Sequence, residues 1–138
     1  MLLLGLWLGG KPKMDLFFHP IVLELRKLCE EGIEWNSMEG FQIKTKVYVV
    51  SVLCDSVARP MVQNMIQFNG KYGCNYCYYE KAGTFPPKES VENRTHEKYE
   101  EDLMHVLADS TEAYRGIKGI SPFSQLSYFD MIDGNILN

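Results

Sequence analysis

The chain alternates between short apolar runs and polar breaks, and the period of each run predicts an element. Leu2 to Leu8 is almost continuously apolar and is closed by Gly-Gly-Lys-Pro-Lys, which predicts a buried first strand. "HPIVLELRKLCEEG" has Ile21, Leu25 and Leu28 at i, i+4 and i+7, with Val22 and Cys29 widening that face, so it predicts a helix. Pro20 suits the first turn of this helix, where a missing N–H does no harm, and Gly32 suits the left-handed position past its end. A polar turn around "NSMEG" leads into a long strand, Gln42 to Cys54. Its first half alternates, whereas "VYVVSVLC" is apolar on both faces and predicts a covered, central stretch. The next helix is expected from about Ser56 to Phe68, with Val57, Met61, Met65 and Phe68 on one side and Pro60 within its first turn.

The first half thus reads strand, helix, strand, helix, and the simplest packing is an α/β sheet with helices against it. Beyond "FNGKYG" the character changes. "CNYCYYE" is a tyrosine-rich knuckle and "KAGTFPPKESVENR" a loop, followed by a helix over His96–Asp109 with Tyr99, Leu103 and Val106 at helical spacing. "RGIKGISPFSQLSYFDMIDG" reads as extended and irregular, and the apolar "NILN" opens a further element. The expected division is residues 1–70 and 71–138.

Composition narrows the classes. With 138 residues, 46% hydrophobic and 23% charged, the chain can bury one ordinary core. A net charge of -4 excludes a domain-wide basic field for holding a polyanion. The opening apolar run is far shorter than the ~20 residues that span a bilayer. It also lacks a preceding positive residue and a small-residue cleavage region, so a secretory leader is disfavoured. The expected setting is intracellular, nuclear or cytoplasmic, with no membrane partner. The sequon at Asn93 is then a chance match.

Two places carry candidate chemistry. Cys74 and Cys77, two residues apart, can aim both sulfurs at one Zn²⁺ from a tight turn. His96, 19 residues after Cys77, and His105, nine further on, are the candidate remaining ligands, with Glu97 or Asp102 as alternatives for the fourth place. Such a zinc would be structural. A redox dithiol and an unpaired pair of thiols remain open, while Cys29 and Cys54 read as small core residues. His19, beside Pro20, reads as a cap or surface residue.

Asp55, where an apolar strand ends, is the second place. The plain reading is a helix N-terminal acid, with Arg59 able to pair with it at i+4. The catalytic reading makes it one of several carboxylates that hold two Mg²⁺ ions for phosphoryl transfer. Asp130 and Asp133 are possible companions, though their spacing does not require it.

These residues occur in an order that resembles a family. "LW-G", a "KP" turn, a helix ending "L-EEG" and a strand into "DSVARP---N---FNG-YGC--C" are followed by "RTHE", "GIKG-SP" and "YFDMIDG". The set covers nearly the whole chain and is similar to the central segment of CACTA (En/Spm) transposases. The resemblance implies a ribonuclease H-like core that cuts and joins DNA with an Asp-Asp-Glu triad and Mg²⁺. It places Asp55 at the family's second acid, Cys74 and Cys77 at its two-cysteine motif, and His96 at the histidine of the following loop. The first and third acids have no counterpart here, so this polypeptide alone is expected to be inactive. The alternative is a domesticated, non-enzymatic module stabilised by zinc, with the tyrosines of "YGCNYCYYE" as a partner surface.

Overall fold

The computed structural model describes residues 6, 8–10, 12–80, 90–126 and 128–137, with the backbone alone for 135–137. The fold mixes helix and sheet. In chain order it has α1 (Met14–Glu30), β1 (Ile33–Asn36), β2 (Gln42–Thr45), β3 (Val52–Cys54), α2 (Ala58–Val62), α3 (His96–Asp109) and β4 (Asn135–Leu137). A 3-10 turn, Pro122–Gln125, lies between α3 and β4. The expected strand Leu2–Leu8 lies mostly outside the described residues. Of it, Leu6 and Leu8 are in no strand and are exposed, against the burial expected.

Helix α1 begins earlier than its hydrophobic pattern alone predicts. Met14 opens it, so Pro20 stands inside the helix rather than in its first turn, and Leu16 forgoes the bond that residue 20 would donate. The buried stripe turns by about one residue from the expected face: Val22 and Cys29 are buried, and Ile21, Leu25 and Leu28 are half-buried. Phe18 extends the stripe and meets Phe123 of the 3-10 turn with ring centroids 5.0 Å apart. Gly32 does close the helix. Its φ is +78°, and its N–H donates to Lys27 O.

The expected long strand is broken into pieces. β1 and β2 form an antiparallel hairpin with Ile33 opposite Thr45 and Asn36 opposite Gln42, largely exposed. Val47 then donates to Leu28 O at the end of α1, and regular pairing resumes only at Val52. There β3 lies parallel to β4, with Val52 opposite Asn135 and Cys54 opposite Leu137. The "VYVVSVLC" stretch is therefore not a covered central strand. Val50 and Leu53 are exposed, because within the described sheet β3 has one neighbour.

The second helix is also shorter than expected. α2 covers five residues and ends where Asn64 turns left-handed at φ 54°. Val57 and Phe68 are exposed, and the buried face is Arg59, Pro60, Val62 and Gln63, with Met65 just beyond. By contrast α3 has the expected limits, Thr95 accepting from Lys98 N–H at its start and Ser110 left-handed at its end.

The core gathers Val22, Val62 and Met65 from the first half with Tyr99, Val106, Ile117, Phe123, Leu126, Phe129, Met131 and Ile132 from the second. Most of the second group lies in the irregular segment after α3. Its anchor is a two-residue turn in which Tyr114 and Ile117 exchange N–H···O bonds of 2.9 Å each. Arg115 (φ 43°) and Gly116 (φ 91°) supply the left-handed corner that such a turn needs. Ile66 N–H then donates to Gly116 O and Lys118 N–H to Asn64 O, which locks the turn onto the chain beyond α2.

Candidate functional site: the Asp55 turn and the Cys74–Cys77 knuckle

Asp55 follows directly on β3 and is exposed. Its Oδ1 accepts N–H bonds from Val57 at 2.9 Å and Ala58 at 2.6 Å, and its carbonyl accepts from Arg59 N–H at 3.0 Å. The carboxylate therefore closes the turn into α2, where it meets the positive end of the short helix. Arg59 does not pair with it. The guanidinium is buried (2% exposed), lies 4.7 Å over the Tyr76 ring, and leaves Nε and Nη2 without a hydrogen-bond partner.

Asp130 and Asp133 do not join Asp55. β3 and β4 run parallel, both acids precede β4, and Asp55 follows β3, so they stand at opposite ends of the strand pair. Asp130 has a local task instead, its Oδ1 accepting from the Ile132 and Asp133 N–H groups.

The knuckle is built from turns and one buried arginine. Gly70 N–H donates to Gln67 O and Gly73 N–H to Gly70 O, which folds the chain back toward Cys74. Tyr78 N–H donates to Glu92 O and Arg94 N–H to Tyr76 O, so the far side of the knuckle pairs with the strand-like run before α3. Arg94 then reaches back through the knuckle. It donates to Cys74 O (3.0 Å), Tyr72 O (3.1 Å) and Arg115 O (2.7 Å), with its guanidinium 4.4 Å over the Tyr78 ring. Tyr78 Oη donates to Asp102 (2.8 Å), and Asp102 also lies 3.8 Å from Arg115. A second buried chain of bonds runs from Asn75 to Gln63 and from Gln63 to Met131 O, 2.6 Å each.

Electrostatics follows from this packing. Burial pushes the Cys77 thiol above its ordinary range, and a hydrogen bond with Cys74 adds to the effect. Burial, then the bond to Asp102, raises the Tyr78 phenol. Burial lowers the pKa of Arg94, opposed by Tyr78, Asp102 and the two cysteines.

Of the four expected zinc ligands, the fold brings Cys74 and Cys77 together and leaves both histidines elsewhere. His96 opens α3, its Nδ1 accepting from Met131 N–H (3.2 Å) and its Nε2 3.5 Å from Glu100. His105 stacks on Tyr114 with centroids 4.7 Å apart. Among the described residues no group of three or more His, Cys, Asp or Glu side chains is placed to hold a metal. The alternative ligands Glu97 and Asp102 are in no such group either, and Asp102 serves Tyr78. Two sulfurs, all that the described residues bring together, do not fit a closed four-ligand zinc site. All four cysteines are free thiols.

Periodicity gave no sign of Arg94, Tyr78, Asp102 and Arg115 as members of one network, or of Gln63 as the middle of a second. Their partners are mostly backbone carbonyls or side chains 12 to 68 positions away. No family model matches this chain, and neither does any curated protein or solved structure. Among the described residues no helix is long and apolar enough to cross a membrane.

Proposed function

We propose that this chain is a segment of the ribonuclease H-like catalytic core of a CACTA-type DNA transposase, with Asp55 one of three acids that share two Mg²⁺ ions in the parent enzyme. Two such ions would activate a water or 3′-hydroxyl and stabilise the leaving oxygen. The supporting observation, beside the ordered motifs, is the position of Asp55. Its carboxylate is exposed at the C-terminal end of a strand in a parallel pair, and both cap bonds use Oδ1. The described residues supply one such acid, so they do not make a two-ion centre. DNA is accordingly a partner of the parent, and this chain alone is expected neither to cut nor to join it.

The test is Mg²⁺-dependent cleavage of terminal-repeat DNA by the parent reading frame extended on both sides of these residues. Asp55→Asn should abolish cleavage, and full activity in that variant would remove the catalytic assignment. The chain by itself should give no product in either form.

A second reading is favoured by the cap geometry. In a non-enzymatic interaction module stabilised by zinc, Asp55 would serve α2 alone, and the tyrosines around the knuckle would meet a partner. Unchanged cleavage by the Asp55 variant, together with clear destabilisation of Asp55→Ala, would favour this module.

A further inference from the structure

One face of α3 and the irregular segment after it bound a slot of about 610 Å³, the size of a small-molecule site. From the helix come His96, Tyr99, Glu100, Leu103 and Leu107. Their spacing puts them on one face, and from first to last they run about 16 Å along the helix. The facing wall is drawn from residues 120–131.

The two ends of the slot differ. At the start of α3, His96 Nδ1 accepts from Met131 N–H (3.2 Å) and its Nε2 lies 3.5 Å from Glu100. Asp130, next to Met131 in the chain, also lines the slot, and both bonds it accepts use Oδ1. A histidine that accepts at Nδ1 is neutral, so this end carries two carboxylates. Among the described residues no Lys or Arg lines the slot to balance them. Further along the helix the wall turns apolar with Leu103 and Leu107, the latter 47% exposed. Between these ends on the helix stands Tyr99. Its hydroxyl is buried without a hydrogen-bond partner, a cost that a ligand in the slot can offset. Burial, then the charge of Glu100, raises the phenol pKa, so the hydroxyl keeps its proton.

We propose that this slot binds an organic ammonium ion with an apolar body, its charged head at Glu100 and Asp130 and its body along Leu103 and Leu107. An ammonium group has donors only, which suits two carboxylates and the unused acceptor of the Tyr99 hydroxyl. A carboxylate ligand would meet repulsion at the same end, and a neutral alcohol would gain nothing from the charges. Neither Asp55 nor the knuckle lines the slot, so the DNA-cleavage experiment and this one can fail separately.

The test is titration of the unaltered chain with octylammonium, octanol and octanoate, followed by backbone amide chemical shifts. Octylammonium should saturate at one per chain, with the shifts gathered in 96–107 and 120–131. Octanol should bind about tenfold more weakly, and octanoate should not saturate. Glu100→Gln, at an exposed position, should weaken octylammonium about two- to fivefold and leave octanol unchanged. Leu107→Ala should weaken both, since it shortens the apolar wall. Tyr99→Phe, which removes the unused acceptor, should weaken octylammonium alone. Asp130 is kept intact in these variants because its Oδ1 holds the turn before β4. Octanol or octanoate binding as tightly as octylammonium, shifts gathered elsewhere, or unchanged octylammonium affinity in Glu100→Gln would each overturn the proposal, as would no saturation by octylammonium.

Discussion

Asp55 shows how one carboxylate serves local structure at a place where chemistry was expected. Its Oδ1 accepts two N–H groups at the start of α2, so Asp55→Ala should cost about 1 kcal/mol in chemical denaturation, while Asp55→Asn, still an acceptor, should cost a few tenths. Equal losses in the two variants would mean that charge, rather than the hydrogen bonds, holds the turn. Tyr99 is the reverse case. Its hydroxyl is buried without a partner, so Tyr99→Phe should be neutral or stabilising by up to about 1 kcal/mol in the same measurement. Tyr78 gives a pH prediction. Its phenol pKa is raised in the fold, so its contribution is whole below about pH 10, where unfolded tyrosine begins to ionise, and is lost as pH rises further. Urea midpoints should therefore fall as pH rises from about 10 upward, and Tyr78→Phe should flatten that fall. An unaltered slope in the variant would assign the effect to other groups.

At the scale of elements, the boundaries written in local chemistry were legible. Thr95 caps α3 and the apolar spacing of Tyr99 and Val106 runs its length, and both signals lie within the helix they specify. Gly32 was legible for the same reason, and it has a second task. A Cβ there would stand 2.8 Å from Thr45 O, because the hairpin folds back over the end of α1. Gly32→Ala should therefore cost at least the ~1–2 kcal/mol of a left-handed alanine, read as a lowered unfolding midpoint. The strands were less legible. Gln42 to Cys54 is rich in β-favouring residues, but a ladder forms only where a partner arrives: β1 for its first residues and β4 for its last. α2 ends early because Asn64 turns the backbone to meet Ile117 and Lys118, residues more than fifty positions away.

For the whole molecule, half of the core comes from a stretch with no regular period. Ile117, Phe123, Leu126, Phe129, Met131 and Ile132 are buried while the chain around them forms turns. Ile117 is fully buried and lies where the two-residue turn meets the chain after α2, so Ile117→Ala should cost about 2–5 kcal/mol. Leu107→Ala, on the half-exposed side of α3, should cost well under half of that, and the pair of unfolding curves checks the contrast. The metal question belongs to this scale as well. Cys74 and Cys77 are neighbours in sequence and stay neighbours in space, whereas the histidines had to be delivered by the path of α3. That path gives His96 to the Met131 amide and His105 to Tyr114.

The sequence by itself determined what short-range physics decides: the extent of α3, the stop at Gly32, the turn at the knuckle, and the presence of two adjacent thiols and a strand-end acid. Each depends on residues within one turn of one another. Tertiary structure decided which extended residues found partners, that Arg94 lies buried against the cysteines, that Asp130 and Asp133 stand at the far end of the strand pair from Asp55, and that among the described residues the two sulfurs gather no third ligand. Those outcomes depend on contacts between distant parts of the chain, where the closing of loops and the satisfaction of buried polar groups outweigh local preference.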